Sequence, residues 1–134
     1  MSDEIQAIPK TMEKFFGCSG EMVKPSLESV ETLMKKVPKG KIVTLDQLRN
    51  RIAQKFKVQA ACPVATTKVL KEMSLQASDV SYWRVVKKKG ELISKLTGSV
   101  EGHAKLLEKD GLIINYSKKT PVVKNYESYV VDVT

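Results

Sequence analysis

The chain has 134 residues, 42% of them apolar, which is enough for one core of ordinary size in one compact domain. No run approaches the roughly 18 apolar residues of a membrane span, and the acidic residues 1–4 lead into no apolar signal segment. We therefore expect a soluble intracellular protein, in the cytoplasm or at the nucleoid or nucleus, with no membrane partner.

Positive charge is concentrated in the middle of the chain. The net charge is +8, and residues 35–95 hold fifteen lysines and arginines against four carboxylates, whereas residues 1–34 hold three lysines against six carboxylates. A central block this basic predicts a polyanionic partner, with nucleic acid favoured over a membrane surface. The alternative is a lysine-rich surface that only keeps the protein in solution.

Ligands for a metal are scarce in this sequence. It has one histidine, His103, two cysteines, Cys18 and Cys62, and no Cys-x-x-Cys spacing. We expect no zinc site, no other metal and no cofactor, with both cysteines as free thiols. His103 lies in a predicted helix among charged neighbours, and we expect it to be in solvent.

The first helix of the predicted core follows a short N-terminal extension. Residues 1–25 are interpreted as this extension, with a short helix expected near residues 11–16, and residues 26–134 as the main domain. After Pro25, an apolar stripe recurs at three- and four-residue steps from Leu27 to Val37, which predicts an amphipathic helix with Ser26 as its N-cap.

Two further helices are predicted to form a helix-turn-helix. Thr44 with Gln47 three residues later is a capping-box pattern that opens a helix over residues 45–56. Pro63 marks the start of the next helix, whose apolar stripe extends to Met73. The second helix of such a pair can enter the major groove of DNA.

A basic β-hairpin, or wing, is predicted after these helices. Residues 82–86 are aromatic and β-branched, residues 87–90 form a lysine-rich turn, and residues 91–93 can return antiparallel. A further helix ends at Gly111, and two strands over residues 112–116 and 126–133 complete the chain. The fold class is therefore α/β, mostly α with a small sheet: a winged helix-turn-helix with a three-helix core, a hairpin wing and C-terminal strands.

The order of these segments carries a family resemblance. Pro38-Lys39-Gly40-Lys41-Ile42-Val43-Thr44, the helix-turn-helix, Trp83-Arg84-Val85-Val86 and Ala104-Lys105-Leu106-Leu107-Glu108-Lys109-Asp110-Gly111 follow one another in the chain. This order resembles the DNA-binding domain of methylguanine-DNA methyltransferases, and more closely their non-enzymatic relatives, the alkyltransferase-like proteins, over roughly residues 27–114. The resemblance implies a winged-helix module that binds duplex DNA from the minor groove and extrudes a damaged base.

The chain departs from that family at the residues that perform the chemistry. The enzymes carry Pro-Cys-His-Arg-Val, and the corresponding residues here are Ser81-Tyr82-Trp83-Arg84-Val85. A phenol with a pKa near 10 and no adjacent imidazole does not replace an activated thiolate, so we expect no enzymatic activity and no catalytic residue. The family's acidic residue aligns with Asp110, which we expect to be a surface or capping carboxylate.

Two residues that the family uses to extrude the base are also absent from this sequence. Leu45, whose helical spacing favours the core, stands where the family has a tyrosine that helps rotate the nucleotide, and the family's intercalating arginine falls near Cys62-Pro63. Ser81, Tyr82 and Trp83 are the candidate base pocket. Trp83 either stacks on an extruded base or packs in the core, and Arg84 either binds a phosphate or braces the wing.

The candidate DNA-binding residues are basic or hydroxyl side chains on the helix-turn-helix and the wing. They are Lys41, Thr44, Thr66, Thr67, Lys68, Lys71, Arg84, Lys87, Lys88 and Lys89. The sequence thus predicts a non-catalytic protein that binds double-stranded DNA, recognises alkylated guanine, and flags it for a repair-protein partner. The alternatives are a winged-helix transcriptional regulator and a module that binds protein or a small molecule on the same scaffold.

Overall fold

The computed structural model describes residues 3–76, 80–96 and 98–131 and shows a mixed α/β fold that is compatible with a winged helix, as predicted. The helices in these ranges are α1 Lys10–Phe16, α2 Leu27–Met34, α3 Leu45–Phe56, α4 Pro63–Leu75 and α5 Ser99–Lys109. The strands are β1 Glu4–Ala7, β2 Glu21–Lys24, β3 Val43–Thr44, β4 Ala60–Ala61, β5 Val85–Val86, β6 Ile114–Asn115 and β7 Val122–Val123.

Local capping signals set the helix starts as the sequence predicts. The Ser29 N–H donates to the Ser26 hydroxyl at the start of α2. At the start of α3 the Gln47 N–H donates to Thr44 Oγ1 at 3.2 Å and the Thr44 N–H donates to Gln47 Oε1 at 3.0 Å, which completes the capping box. Pro63 occupies the first turn of α4. These predictions are confirmed.

The N-terminal segment packs onto the helical core. The helix expected near residues 11–16 is present as α1, and β2 pairs antiparallel with β1 and parallel with β4, which joins α3 to α4. The Asp3 carboxylate accepts from the Ser26 N–H at 2.7 Å, at the start of α2. A domain boundary at residue 26 stays a prediction.

Two hydrophobic clusters support the surface features. The larger one is formed by α2, α3 and α4 with Val85, Ile93 and Leu96, and the second by α5, β6 and β7 with Val86 and Leu92. Val85 and Val86 thus face different clusters, as alternation along a strand requires. Leu45, predicted to be core, is partly buried against the larger cluster.

The predicted wing hairpin is wrong in its pairing. β5 pairs parallel with β3, and the Lys87 N–H donates to the Glu91 carbonyl at 2.8 Å, which closes the lysine turn. Glu91 then forms an antiparallel bridge with Val122 of β7 and does not continue against residues 82–86. The reason is local: residues 82–84 form a turn, so a two-residue strand is left, too short to carry a hairpin ladder.

The second C-terminal strand also differs from its prediction. β6 lies inside the predicted 112–116 segment, but its partner is β7, whereas Tyr126–Ser128 forms a 3-10 turn. Asn125 is left-handed at φ +56°, which ends the extended chain, and Tyr126 packs closely over Gly90. Of the predicted strand, Val130 retains a bridge to Ile42, and residues 132–133 lie outside the described ranges.

Candidate nucleic-acid interface

An open groove follows the exposed face of α4. Its volume is about 400 Å³, and we call it the α4 groove; its lining residues are Pro63, Val64, Thr67, Lys68, Lys71 and Lys95. Val69, Leu70 and Met73 are buried on the opposite face of the helix, so core packing fixes the direction in which Lys68 and Lys71 point. The groove therefore presents three lysines and a threonine on one rigid element and its neighbour.

Lys95 is a member of this group that the sequence did not reveal. It follows the buried pair Leu92 and Ile93 in a segment without regular structure, and it is exposed. Within residues 3–76, 80–96 and 98–131, the side chains of Lys68, Lys71 and Lys95 form no ion pair. Three lysines without an ion-pair partner in the described ranges therefore line one groove.

Thr66 does not belong to this surface, which corrects its assignment as a DNA-binding residue. It is fully buried, and its hydroxyl donates to the Cys62 carbonyl at 2.7 Å. The cause is helical phase, since Thr66 shares the inward face with Val69, Leu70 and Met73, whereas Thr67 turns outward into the groove.

The remaining candidate residues are spread over other parts of the surface. Thr44 is used in the capping box of α3, and the Lys41 ammonium lies 5.9 Å from the centre of the Tyr129 ring. Lys87, Lys88 and Lys89 are exposed on the turn after β5. The structure therefore groups Thr67, Lys68 and Lys71 at the α4 groove and leaves the turn lysines as a separate group.

Arg84 and Trp83 both bond to one buried carboxylate. The Asp110 Oδ2 accepts from Arg84 Nε at 2.8 Å and from Trp83 Nε1 at 2.9 Å. A second Arg84 nitrogen donates to the Val37 carbonyl at 3.0 Å. We call this group the Asp110 network. Of the two roles predicted for Arg84, the structure shows bracing, and a phosphate contact stays a prediction.

Of the two places expected for Asp110, the surface is wrong for its side chain, whereas the residue does occupy the C-cap position of α5. The Asp110 side chain is 5% exposed, and that of Arg84 is 13% exposed. Burial acts to raise the pKa of Asp110, but the bonds from Arg84 and Trp83 and the charge of Arg84 outweigh it, so the pKa lies below its ordinary value. No local pattern indicates this pairing, because Arg84 and Trp83 lie 26 and 27 residues away from Asp110.

The three candidate base-pocket residues lie on the turn that holds this network. Ser81, Tyr82 and Trp83 are all half-buried. The Tyr82 and Trp83 rings meet edge to face at 5.4 Å, and Trp83 packs partly against the second hydrophobic cluster. Burial raises the pKa of Tyr82, which therefore stays a neutral phenol near pH 7.

His103 is buried, which corrects the expectation that it lies in solvent. It is 1% exposed; its Nδ1 accepts from the Ile93 N–H at 3.0 Å, and its Nε2 is 2.8 Å from the Trp83 carbonyl, to which it donates. Burial lowers its pKa to about 4 against bonds to the Trp83 and Val85 backbone that act to raise it. It is a neutral brace between the Trp83 turn and the segment that follows Glu91.

The described part of the chain has neither the geometry of a metal site nor the length and apolarity of a membrane-spanning helix. It contains no group of three histidine, cysteine, aspartate or glutamate residues that could hold a metal ion. Cys18 is exposed and Cys62 buried, and both are free thiols, as predicted. None of the helices in the described ranges is long and apolar enough to cross a membrane.

One solved structure places this geometry among known folds. The chain is similar to S. pombe Atl1 in a crystal structure of its complex with damaged DNA containing O6-carboxymethylguanine. The two chains are 19% identical with a TM-score of 0.57, and the similarity covers 79% of this chain and 94% of the Atl1 chain. The likeness shows a shared fold. No protein-family model and no curated protein matches the chain.

Proposed function

We propose that this protein binds duplex DNA through the α4 groove, prefers DNA that carries an alkylated guanine, and transfers no alkyl group. The observation that carries the proposal is the set of exposed lysines on α4 and beside it, which have no ion-pair partner in the described ranges. Lysines on one helix face neutralise phosphates without needing exact geometry. The fold shared with the DNA-bound Atl1 chain adds support.

The preference for alkylated guanine rests on the Tyr82 turn. The Atl1 structure contains O6-carboxymethylguanine. The sequence resemblance implies that Tyr82 and Trp83 stand where the methyltransferases carry the cysteine and histidine of their active site. Trp83 is bonded to Asp110, whereas no hydrogen bond within the described part of the chain holds the Tyr82 hydroxyl. Tyr82 is thus the better candidate for stacking on an extruded base.

The absence of transfer activity is proposed from the same turn. Alkyl transfer needs a thiolate and a base that takes the thiol proton. Tyr82 has a raised pKa, Trp83 Nε1 is a donor only, and both His103 nitrogens are bonded to backbone groups. A repair-protein partner and the cellular compartment stay predictions.

Binding to two duplexes that differ only in one O6-alkylguanine tests the proposal. We expect tighter binding to the alkylated duplex, and Tyr82→Leu should weaken that binding by about 5- to 150-fold, from a stacking energy of about 1 to 3 kcal/mol, with little change on plain DNA. Phe15→Leu is the matched control, since Phe15 is an exposed aromatic residue on α1, outside the α4 groove and the Tyr82 turn.

Three results would count against the proposal. Equal affinity for both duplexes would contradict the proposed recognition of the alkylated base. A reproducible base sequence among selected DNAs would favour a winged-helix transcriptional regulator. No salt-sensitive DNA binding at all would favour a module that binds protein or a small molecule.

A further inference from the structure

A second group of lysines lies together away from the α4 groove. Residues 87–91 and the loop between β6 and β7 are joined by the Leu92 N–H, which donates to the Pro121 carbonyl at 3.0 Å, and by the bridge from Glu91 to Val122. Between them lies a cleft of about 390 Å³, which we call the lysine cleft, lined by Lys89, Glu91, Lys118, Lys119, Thr120 and Val122. Two lysine runs far apart in the sequence therefore share one surface.

Positive charge is in excess in the lysine cleft. Its three lysines are exposed and face one carboxylate, Glu91. None of these lysines has an ion-pair partner in the described part of the chain. Like charges held together weaken a fold, and a polyanion relieves that repulsion.

A recess beside the lysine cleft extends its basic surface towards the α4 groove. A neighbouring recess of about 430 Å³ shares Lys119 and Thr120 with the cleft and is also lined by Lys87, Ser94 and Glu101. Lys95, the next residue after Ser94, lines the α4 groove. We call the series of lysines from α4 through Lys95 and Lys87 to the cleft the cationic band, which Glu101 and Glu91 interrupt.

We infer that the lysine cleft binds the phosphate backbone of the duplex held by α4, at positions beyond the α4 contact. This inference rests on the proposed DNA binding. A duplex carries one charge per about 1.7 Å of helix axis, so it supplies phosphates along the whole band, whereas a small anion would fill one recess. The contacts position the protein and carry no base information.

A charge-removing variant of the loop tests the cleft. Lys118→Gln with Lys119→Gln should make the slope of log affinity against log salt shallower by about 1 to 2 units, at about 0.9 per phosphate contact. In an ethylation-interference experiment with this variant, ethylation of the phosphates at one end of the bound DNA should no longer weaken binding. Ethylation of the phosphates that α4 contacts should still weaken it. The preference for alkylated DNA should be unchanged.

The matched control removes two exposed lysines from the acidic N-terminal region. Lys10→Gln with Lys14→Gln should leave the slope and the phosphate pattern as in the wild type, because α1 contributes nothing to the cationic band. Both variants should melt like the wild type, since all four side chains are exposed.

The outcomes distinguish a failure of the cleft inference from a failure of the proposed function. If the wild type binds and the cleft variant keeps its slope and its phosphates, the inference fails while the proposed function stands, and a small anion or an acidic protein becomes the candidate ligand. If the control variant changes as much as the cleft variant, the effect is one of net charge and the inference fails. If the wild type shows no salt-dependent DNA binding, both fail.

Discussion

The α4 groove and the Asp110 network use their charges in opposite ways. In the groove, Lys68, Lys71 and Lys95 are exposed and have no ion-pair partner in the described ranges. In the network, Arg84 and Trp83 converge on one buried carboxylate, and no buried side-chain polar atom in the described part of the chain is without a hydrogen bond. Unpaired exposed charge suits a partner, whereas paired buried charge holds the turn that carries Tyr82.

The largest effect is expected from breaking the network. Asp110→Ala leaves the Arg84 guanidinium with the Val37 carbonyl as its partner and leaves Trp83 Nε1 without an acceptor. Removing one member of a buried ion pair costs about 3 to 5 kcal/mol, and we expect a loss near the lower end because Arg84 is partly exposed. Urea unfolding at neutral pH measures it.

Asp46→Ala is the matched control for that experiment. Asp46 pairs with Arg49 three residues along α3, and its side chain is 55% exposed. Such a surface pair is worth about 0.2 to 1 kcal/mol. Equal losses in the two variants would contradict the view that the Asp110 network stabilises the fold.

The next effect is a pH dependence of stability that comes from His103. The folded-state pKa is about 4 against an ordinary 6.5, so the unfolded chain takes up the proton first as the pH falls. Stability should be full above pH 6.5 and decrease down to about pH 4, in total by on the order of 3 kcal/mol at 1.36 kcal/mol per pH unit. Unfolding free energies at several pH values measure it.

His103→Gln should remove this dependence. The chain has one histidine, so the interval from pH 6.5 to 4.5 isolates it from most carboxylates. The contribution of Asp110, whose pKa is lowered, is present above its ordinary 3.8 and is lost only at lower pH. A His103→Gln protein that loses stability over the same interval as the wild type would contradict the assignment.

The contrast also explains which features the sequence could predict. The Ser26 cap, the Thr44–Gln47 capping box and Pro63 at the start of α4 act over a few residues, so the pattern contains the interaction itself. The hydrogen bonds of Asp110 and His103 join residues that are 10 to 27 positions apart, and no local pattern identifies the partner of either side chain.

Strand pairing was missed for a related reason. β3, β5, β6 and β7 have two residues each, which is too short to show an alternation of apolar and polar residues. Their partner strands could therefore not be predicted. The grouping of Lys95 with α4, and of Lys118 and Lys119 with Lys89, was likewise not predictable, because these neighbours come from distant segments. Lys68 and Lys71 were predictable because helical period alone places them opposite the buried stripe.

A smaller effect, on binding rather than folding, is expected from the α4 groove. Lys68→Gln with Lys71→Gln should make the salt slope shallower by about 2 units and weaken alkylated and plain duplexes alike, since phosphate contacts carry no base information. Unfolding free energies should change little, because both side chains are exposed. A changed preference between the two duplexes, with an unchanged slope, would place these lysines outside the phosphate contact.

The smallest expected effect is no effect: a thiol introduced at position 82 should not confer alkyl transfer. A thiol has an ordinary pKa near 8.5, and burial at this half-buried position raises it, so little thiolate forms. Trp83 Nε1 can only donate, and it donates to Asp110, so it cannot take the thiol proton. Intact mass after incubation of Tyr82→Cys with O6-alkylguanine DNA should therefore show no added alkyl group.

The double variant Tyr82→Cys with Trp83→His makes that result informative. An imidazole at position 83 can accept the thiol proton, and the Asp110 carboxylate, which now accepts from the indole at 2.9 Å, is available to orient it. If an alkylated base reaches this turn, the double variant should gain one alkyl group per molecule while the single variant gains none. Uptake by the single variant would show that another base lies within reach, and a wild-type adduct on Cys18 or Cys62 would overturn the non-catalytic proposal.

The outcome in which neither variant is alkylated, although both bind the DNA, would mean that the alkyl group does not reach position 82. The Tyr82 turn would then have no role in lesion recognition, whereas the proposed role of the lysines would be unaffected.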